Sequence, residues 1–292
     1  MRSCTVVDKD KWIAFLDECF EYAGDGSYGV DFAPLFTESA LKKSKIIEEN
    51  SSIVSSGTLF THKAVTAAGI LNVGVIGAVA THKNFRGKGY SKEIIEALIS
   101  DATQMGLDMV VLWSDLKDHY EKLGFKAVGT QEIYSIRNFI PSLKEEGTLE
   151  SVWDLAAVSY LYNQHSSRME RSASYWQDIE MISSCLRFQW RDRRGDIVAY
   201  VGIGKGKDLA GVIHEWGGSS VGLQSLVAAL KVHADELLWL THPQFQDPVR
   251  ASLVSAGEKA LLSSELCLCK NISGKSLDSI LAQLWFWGLD SM

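Results

Sequence analysis

Long apolar helices, metal-ligand spacings, cysteine pairs and excess positive charge are all missing from this 292-residue chain. Residues 64 to 81 carry no charge, but Gly69, Asn72, Gly74 and Gly77 fall among β-branched residues there. That composition suits two adjoining strands and excludes a membrane-spanning helix, so no membrane partner is expected. Residues 1 to 10 have no apolar signal core, which predicts no secretion signal and a cytoplasmic protein. The five cysteines (Cys4, Cys19, Cys185, Cys267, Cys269) form no C-x-x-C pair. Cys267 and Cys269, two apart in an expected strand, face one side and do not bridge, so reduced thiols are expected. Seven histidines show no ligand spacing, and His214-Glu215 in a strand point to opposite faces, so no metal is expected. Lys and Arg number 29 against 36 Asp and Glu, and this net charge of −7 disfavours nucleic acid as the main partner. With only four prolines and no low-complexity tract, long disordered segments are excluded.

What is present is enough apolar residue for packed cores, 46% of a chain long enough for two domains. The most informative stretch is Val79-Ala80-Thr81-His82-Lys83-Asn84-Phe85-Arg86-Gly87-Lys88-Gly89-Tyr90-Ser91: an apolar strand, a basic glycine-bearing turn, then a helix. Ile94, Ile95, Leu98, Ile99 and Ala102 lie on one face at helical spacing, with Ser91 or a neighbour available as cap. A helix N-terminus preceded by glycines offers unpaired N–H groups and the positive end of the helix dipole to a phosphate. Gly87 and Gly89 allow close backbone approach, and Arg86 and Lys88 add charge, unless they form only a solvated basic turn.

A second element follows about thirty positions later. Met109 to Trp113 reads as a buried strand, and Tyr120-Glu121-Lys122-Leu123-Gly124-Phe125 follows a short helical link. In these two segments the chain resembles the GNAT superfamily of N-acetyltransferases. Arg86-x-x-Gly89-x-Ser91 is similar to that family's Arg/Gln-x-x-Gly-x-Gly/Ala loop, with Ser91 where the family usually has Gly or Ala. Tyr120 to Phe125 resembles its Tyr-x-x-x-Gly-Phe segment. The resemblance covers residues 10 to 140, with its motif core at 72 to 128. It implies acetyl-CoA as cosubstrate, with the pantetheine held along the backbone of Val79, Ala80 and Thr81. The pyrophosphate would then rest on the amides of Gly87, Lys88, Gly89, Tyr90, Ser91 and Lys92, beside Arg86. It also implies that Tyr120 protonates the departing thiolate, the alternative being an aromatic ring that only packs on the strand end.

The order of elements is read twice. In the first half helices are expected at 9–22 and roughly 32–43, and strands at 45–62 and 66–81. The helix at 90–104, a strand at 108–113, a helix near 115–122 and strands around 125–138 follow. Residues 139–150 read as the connector. Then come a helix over Leu161–Ser183, strands at 186–190, 197–203 and 211–216, and a helix at 221–234. A strand at 237–240, a helix at 244–256 and a closing strand at 260–269 complete the chain. This predicts an α+β fold of tandem GNAT-like domains, 1–140 and 151–292, each a mixed, mostly antiparallel central sheet flanked by helices. The second copy is expected to be degenerate and to shape the acceptor cleft. Only Gly217-Gly218-Ser219-Ser220 stands where the anion loop would be, and Gly202-x-Gly204-x-Gly206 precedes no helix.

No carboxylate stands between Asn72 and Thr81 to serve as general base. Asp115 is one candidate, with helix capping as its alternative role. The other is the carboxylate of Met292, which ends an aromatic tail (Leu284, Trp285, Phe286, Trp287) too apolar to float free. The resemblance to N-myristoyltransferases implies such a terminal base. The expected reaction is acetyl transfer to a primary amine on a small molecule or peptide. A non-catalytic acyl-CoA-binding module and a longer acyl donor are the alternatives.

Overall fold

The structure, a computed structural model, describes residues 1–24, 26–137 and 139–291. In chain order the first half forms β1 (Arg2–Ser3), α1 (Lys9–Cys19), α2 (Tyr28–Asp31), α3 (Glu38–Leu41), β2 (Ser44–Glu49), β3 (Ser52–Thr66) and β4 (Gly69–Thr81). It continues through α4 (Tyr90–Gln104), β5 (Met109–Leu112), α5 (Lys117–Glu121), β6 (Lys126–Val128) and β7 (Gln131–Ile136). The second half forms β8 (Gly147–Glu150), α6 (Leu155–Tyr162), β9 (Arg168–Met169), α7 (Ala173–Glu180), β10 (Leu186–Asp192), β11 (Ile197–Ile203) and β12 (Val212–Gly218). Then follow α8 (Ser220–Lys231), β13 (Leu237–Thr241), α9 (Pro248–Ser255), β14 (Leu262–Ser264), β15 (Cys267–Asn271) and α10 (Asp278–Leu281).

The strands make two sheets, ordered β1-β2-β3-β4-β5-β15-β6 and β14-β7-β13-β12-β11-β10-β8, with β9 added on β3. The described strand pairs are antiparallel except β4 with β5 and β12 with β13, each joined through a helix, α4 or α8. The two sheets exchange strands. β15, from near the end of the chain, lies between β5 and β6, and β7, from the first half, lies between β13 and β14.

Several expectations fail locally: the helix expected at 32–43 is a short turn at 33–36 followed by α3, and 147–150 of the expected connector form β8. Residues 44–66 are two strands, not one, because Asn50 and Ser51 take positive φ and turn the chain. Leu161–Ser183 is not one helix. The polar run from Asn163 to Ser167 ends α6, β9 pairs with β3, and the Ser172 hydroxyl accepts from the Tyr175 amide to start α7. Residues 260–269 split between the two sheets. Gly129 to Ser135 and Leu262 to Cys269 are the places where the chain passes from one sheet to the other.

Burial explains the layers. The apolar stripe of α4 (Ile94, Ile95, Leu98, Ala102) packs on Leu59, Ile76 and Val110 on one face of the first sheet. Gly57 lets α4 come this close, since a Cβ there would stand 2.6 Å from Ile94. The other face is covered by α1 and the turn between α2 and α3, through Trp12, Leu16 and Phe36, and by the second half. Val73, Val75, Met109 and Val111 share one core with Trp176, Trp216, Trp239, Trp285 and Trp287, so the two sheets are fused through apolar packing.

His62, His214 and His242 are buried in or beside that core, and His165 is half-buried against Trp287. Burial pushes His62 and His165 each down to about 4 and His214 down to about 3. Their ordinary value is 6.5, so the unfolded chain takes up protons first as pH falls. Stability from these groups is complete above about pH 6.5 and is lost as pH drops toward 4. The melting temperature should therefore fall steeply between pH 6.5 and 4. A flat profile there, by calorimetry, would show that the His62, His165 and His214 rings can charge in place.

Candidate active site

The turn before α4 leaves its backbone open to solvent. Gly89 is the N-cap with φ +87°, Gly87 has φ +81°, and a side chain at either would meet nothing within 4 Å, so the backbone faces open space. No side chain caps the helix, so Ser91, one of the expected caps, does not take that role and stands inside the first turn. The first amide of α4 to bond back into the turn is that of Glu93, to the Gly89 carbonyl at 3.0 Å. The amides of Tyr90, Ser91 and Lys92 point along the helix axis without partners in the ladder.

The basic side chains are partly committed elsewhere. Arg86 Nε donates to the Thr81 carbonyl at 3.3 Å, bracing the turn against the end of β4. Lys88 Nζ lies 3.4 Å from Glu49 and 4.7 Å from the centre of the Phe85 ring. The Tyr90 hydroxyl also donates to Glu49, which holds that carboxyl below its usual range. Lys92 pairs loosely with Glu96 at 3.7 Å. Glu49 had no signal in the sequence: it is brought to the turn by the β2–β3 hairpin.

Between this turn and the core, β4 opens. It pairs with β5 only through Val73, Gly74 and Val75; from Ile76 to Thr81 its edge on that side has no strand partner. Within the opening β4 carries a bulge. Ser56 pairs with Ala80 and Thr58 with Gly77, so Ala78 and Val79 together oppose Gly57. Ala78 has φ +50°, a left-handed backbone that costs a non-glycine residue about 1–2 kcal/mol. The Ser56 hydroxyl holds it by donating to the Ala78 carbonyl at 3.0 Å. The bulge reverses the faces of the strand: Val73 and Val75 enter the fused core, whereas Ala78 and Ala80 pack under α1 and Val79 turns to α4.

Tyr120, on the short α5, is buried with its ring 5.8 Å from Phe125. Burial raises its pKa, and a hydrogen bond from the Ser114 side chain opposes the rise. Asp115 is exposed and does not cap α5; the cap residue is Leu116, whose amide donates to Ser114 Oγ at 3.1 Å. His119 reaches Ser91 at 3.5 Å, so α5 and the first turn of α4 flank the same opening.

The tail that precedes Met292 is fixed at the junction of the halves. Met292 itself lies outside the described residues. β12 pairs with β13 only at Val212 and Ile213, and the tail fills the gap beyond. Trp287 packs 5.1 Å from Trp216, Gly288 sits against His214, and the Leu289 carbonyl accepts from the Tyr175 hydroxyl at 3.1 Å. Arg171 Nε and Nη2 hold Asp290 at 2.8 and 2.9 Å, and Arg171 Nη1 holds Glu215 at 2.8 Å, all three side chains fully buried. Burial pushes Glu215 upward even beside this guanidinium. Lys205 Nζ donates to the carbonyls of Gly288, at 2.8 Å, and Ser291; burial pushes it down to about 8. Nothing in the sequence joins Arg171, Lys205 and Glu215, which are distant in the chain and meet only in the fold.

A splayed, bulged strand thus leads into an uncapped helix N-terminus, with a buried tyrosine beyond it. Residues 1–128 match the family model described as an acetyltransferase (GNAT) domain. No curated protein matches the sequence. Solved structures share its fold. A GCN5-related N-acetyltransferase from Anabaena variabilis has a TM-score of 0.71 at 14% identity over 92% of this chain and 72% of its own. One from Kribbella flavida has a TM-score of 0.66 at 11% identity over 93% and 70%. The Saccharomyces cerevisiae N-myristoyltransferase with bound myristoyl-CoA has a TM-score of 0.56 at 10% identity over 91% and 80%. Among the described residues no helix is long and apolar enough to cross a membrane, and no group of three or more side chains is placed to hold a metal.

Proposed function

We propose that this protein transfers an acetyl group from acetyl-CoA to a primary amine in a ternary complex. The observation that carries this reading is the uncapped start of α4 at the end of a strand whose edge is unpaired from Ile76 to Thr81. The backbone of Val79, Ala80 and Thr81 pairs with the pantetheine, and the amides of Gly87 through Lys92 receive the pyrophosphate, with Arg86 beside them. The amine nitrogen forms the C–N bond as the C–S bond breaks. The sulfur keeps that electron pair and takes the Tyr120 proton, while the nitrogen's surplus proton leaves through solvent and Tyr120 is reprotonated from water. The first half, 1–140, is the catalytic one, and the second, 151–292, shapes the acceptor side.

Asp115 is too exposed to be favoured as base over bulk water. Met292 enters the reading because Ser291, immediately before it, is tethered by Lys205 at the junction. A variant lacking only Met292 tests that role while leaving Asp290 in its ion pair. A longer acyl donor is a second reading, supported by the myristoyl-CoA bound in the yeast relative.

Calorimetric titration with acetyl-, malonyl- and myristoyl-CoA tests the donor, and absence of binding by all three removes the assignment. Tyr120→Phe should lower kcat about 100-fold with the acetyl-CoA dissociation constant unchanged. Thiol release measured with an accepted amine checks this, and an unchanged kcat would reduce Tyr120 to packing.

A further inference from the structure

A cavity of about 500 Å³ opens at the junction of the two halves, on the face of the first sheet away from α4. Its walls are Phe60 and His62 of β3 and Tyr175 of α7, with Glu170 and Ser172 at its edge and the buried Arg171 behind. The three rings stand 5.2 to 5.7 Å apart. Phe60 pairs with Val75 in the sheet and packs in the same cluster as Ala78, so the cavity adjoins the bulge. Val75 and Ala78 are three positions apart along β4, roughly 10 Å. His62 is 7% exposed, and its Nε2 has no hydrogen-bond partner among the described residues. An unpaired buried nitrogen costs roughly 1–3 kcal/mol, which a ligand N–H would recover. Held neutral by burial, the imidazole has a lone pair free to accept.

Building on the acetyltransferase reading, we propose that this cavity is the acceptor site and takes a primary amine carried on a flat aromatic group. The amine N–H donates to the His62 ring, and the aromatic group packs over the joined rings of Phe60 and Tyr175 at the cavity wall. His62 positions the nitrogen; the carbonyl it attacks lies across the bulge.

The test uses the full chain with acetyl-CoA and two amines, 2-phenylethylamine and ethylamine, read by thiol release, with acetyl-CoA affinity measured separately by calorimetry. The wild type should favour 2-phenylethylamine by at least about tenfold in kcat/KM. His62→Leu should lower kcat/KM for it by about tenfold or more, chiefly through KM, with acetyl-CoA affinity unchanged, and His62→Gln should restore part of the loss. Phe60→Ala, which widens the cavity from its other wall, should shift preference toward 2-(1-naphthyl)ethylamine. If the wild type does not bind acetyl-CoA, the acetyltransferase reading fails and this proposal with it. If it binds acetyl-CoA but uses both amines equally, uses neither, or is indifferent to His62→Leu, the proposal falls and the acetyltransferase reading stands.

Discussion

Arg171→Leu should lower the unfolding free energy by about 3–5 kcal/mol, because it leaves two buried carboxylates, Glu215 and Asp290, without their cation. Packing is lost as well: the guanidinium lies 3.9 Å from the Tyr162 ring centre and 4.7 Å from that of Trp176. Arg171→Lys should recover little, since one ammonium cannot replace the forked contacts to both carboxylates. Replacing all three residues with apolar ones of similar volume should restore most of the stability, because the deficit comes from stranded charge. Urea unfolding of the three variants decides this. A single Arg171→Leu chain within about 1 kcal/mol of the parent would mean that water reaches the cluster.

Gly89→Val should weaken acetyl-CoA binding by about 100-fold, or roughly 2.7 kcal/mol, with only a small change in melting temperature. Nothing stands within 4 Å of the added carbon, so the effect is conformational: at φ +87° a β-branched residue is strained and the turn re-forms with its amides facing elsewhere. Gly106→Val is the matching control. It also has φ +71° and open space around it, but it lies beyond the C-terminal end of α4, away from the turn. Equal affinity in the two variants would remove the anion cradle from the argument.

The sequence made α4 legible because its stripe of isoleucine and leucine has one periodicity and one buried face. The turn before it was legible for a similar reason: glycines at 87 and 89 have a local conformational meaning that no distant contact alters. The bulge at Ala78 was not. Both faces of β4 are buried, so every position from Val73 to Ala80 except the glycines is apolar, and a reversal of faces leaves no trace in the pattern. The cluster of Arg171, Lys205, Glu215 and Asp290 was hidden because a buried charge is recognisable only with its partners, which here come from four separate segments. Arg171 was further disguised by reading 161–183 as one helix. The aromatic tail was read as packed, and it is, but its place in the gap beside β12 follows from the sheet, not from its own residues.

The exchange of β7 and β15 bears on how the chain is made. On a ribosome, residues 1 to 140 emerge with β5 and β6 lacking the strand that belongs between them, and with β7 having no sheet to join. Unpaired strand edges of this kind invite association with other nascent chains. The first sheet beside β5 is therefore complete only after Asn271 has left the exit tunnel, and synthesis rather than ligand sets the earliest moment at which it can close.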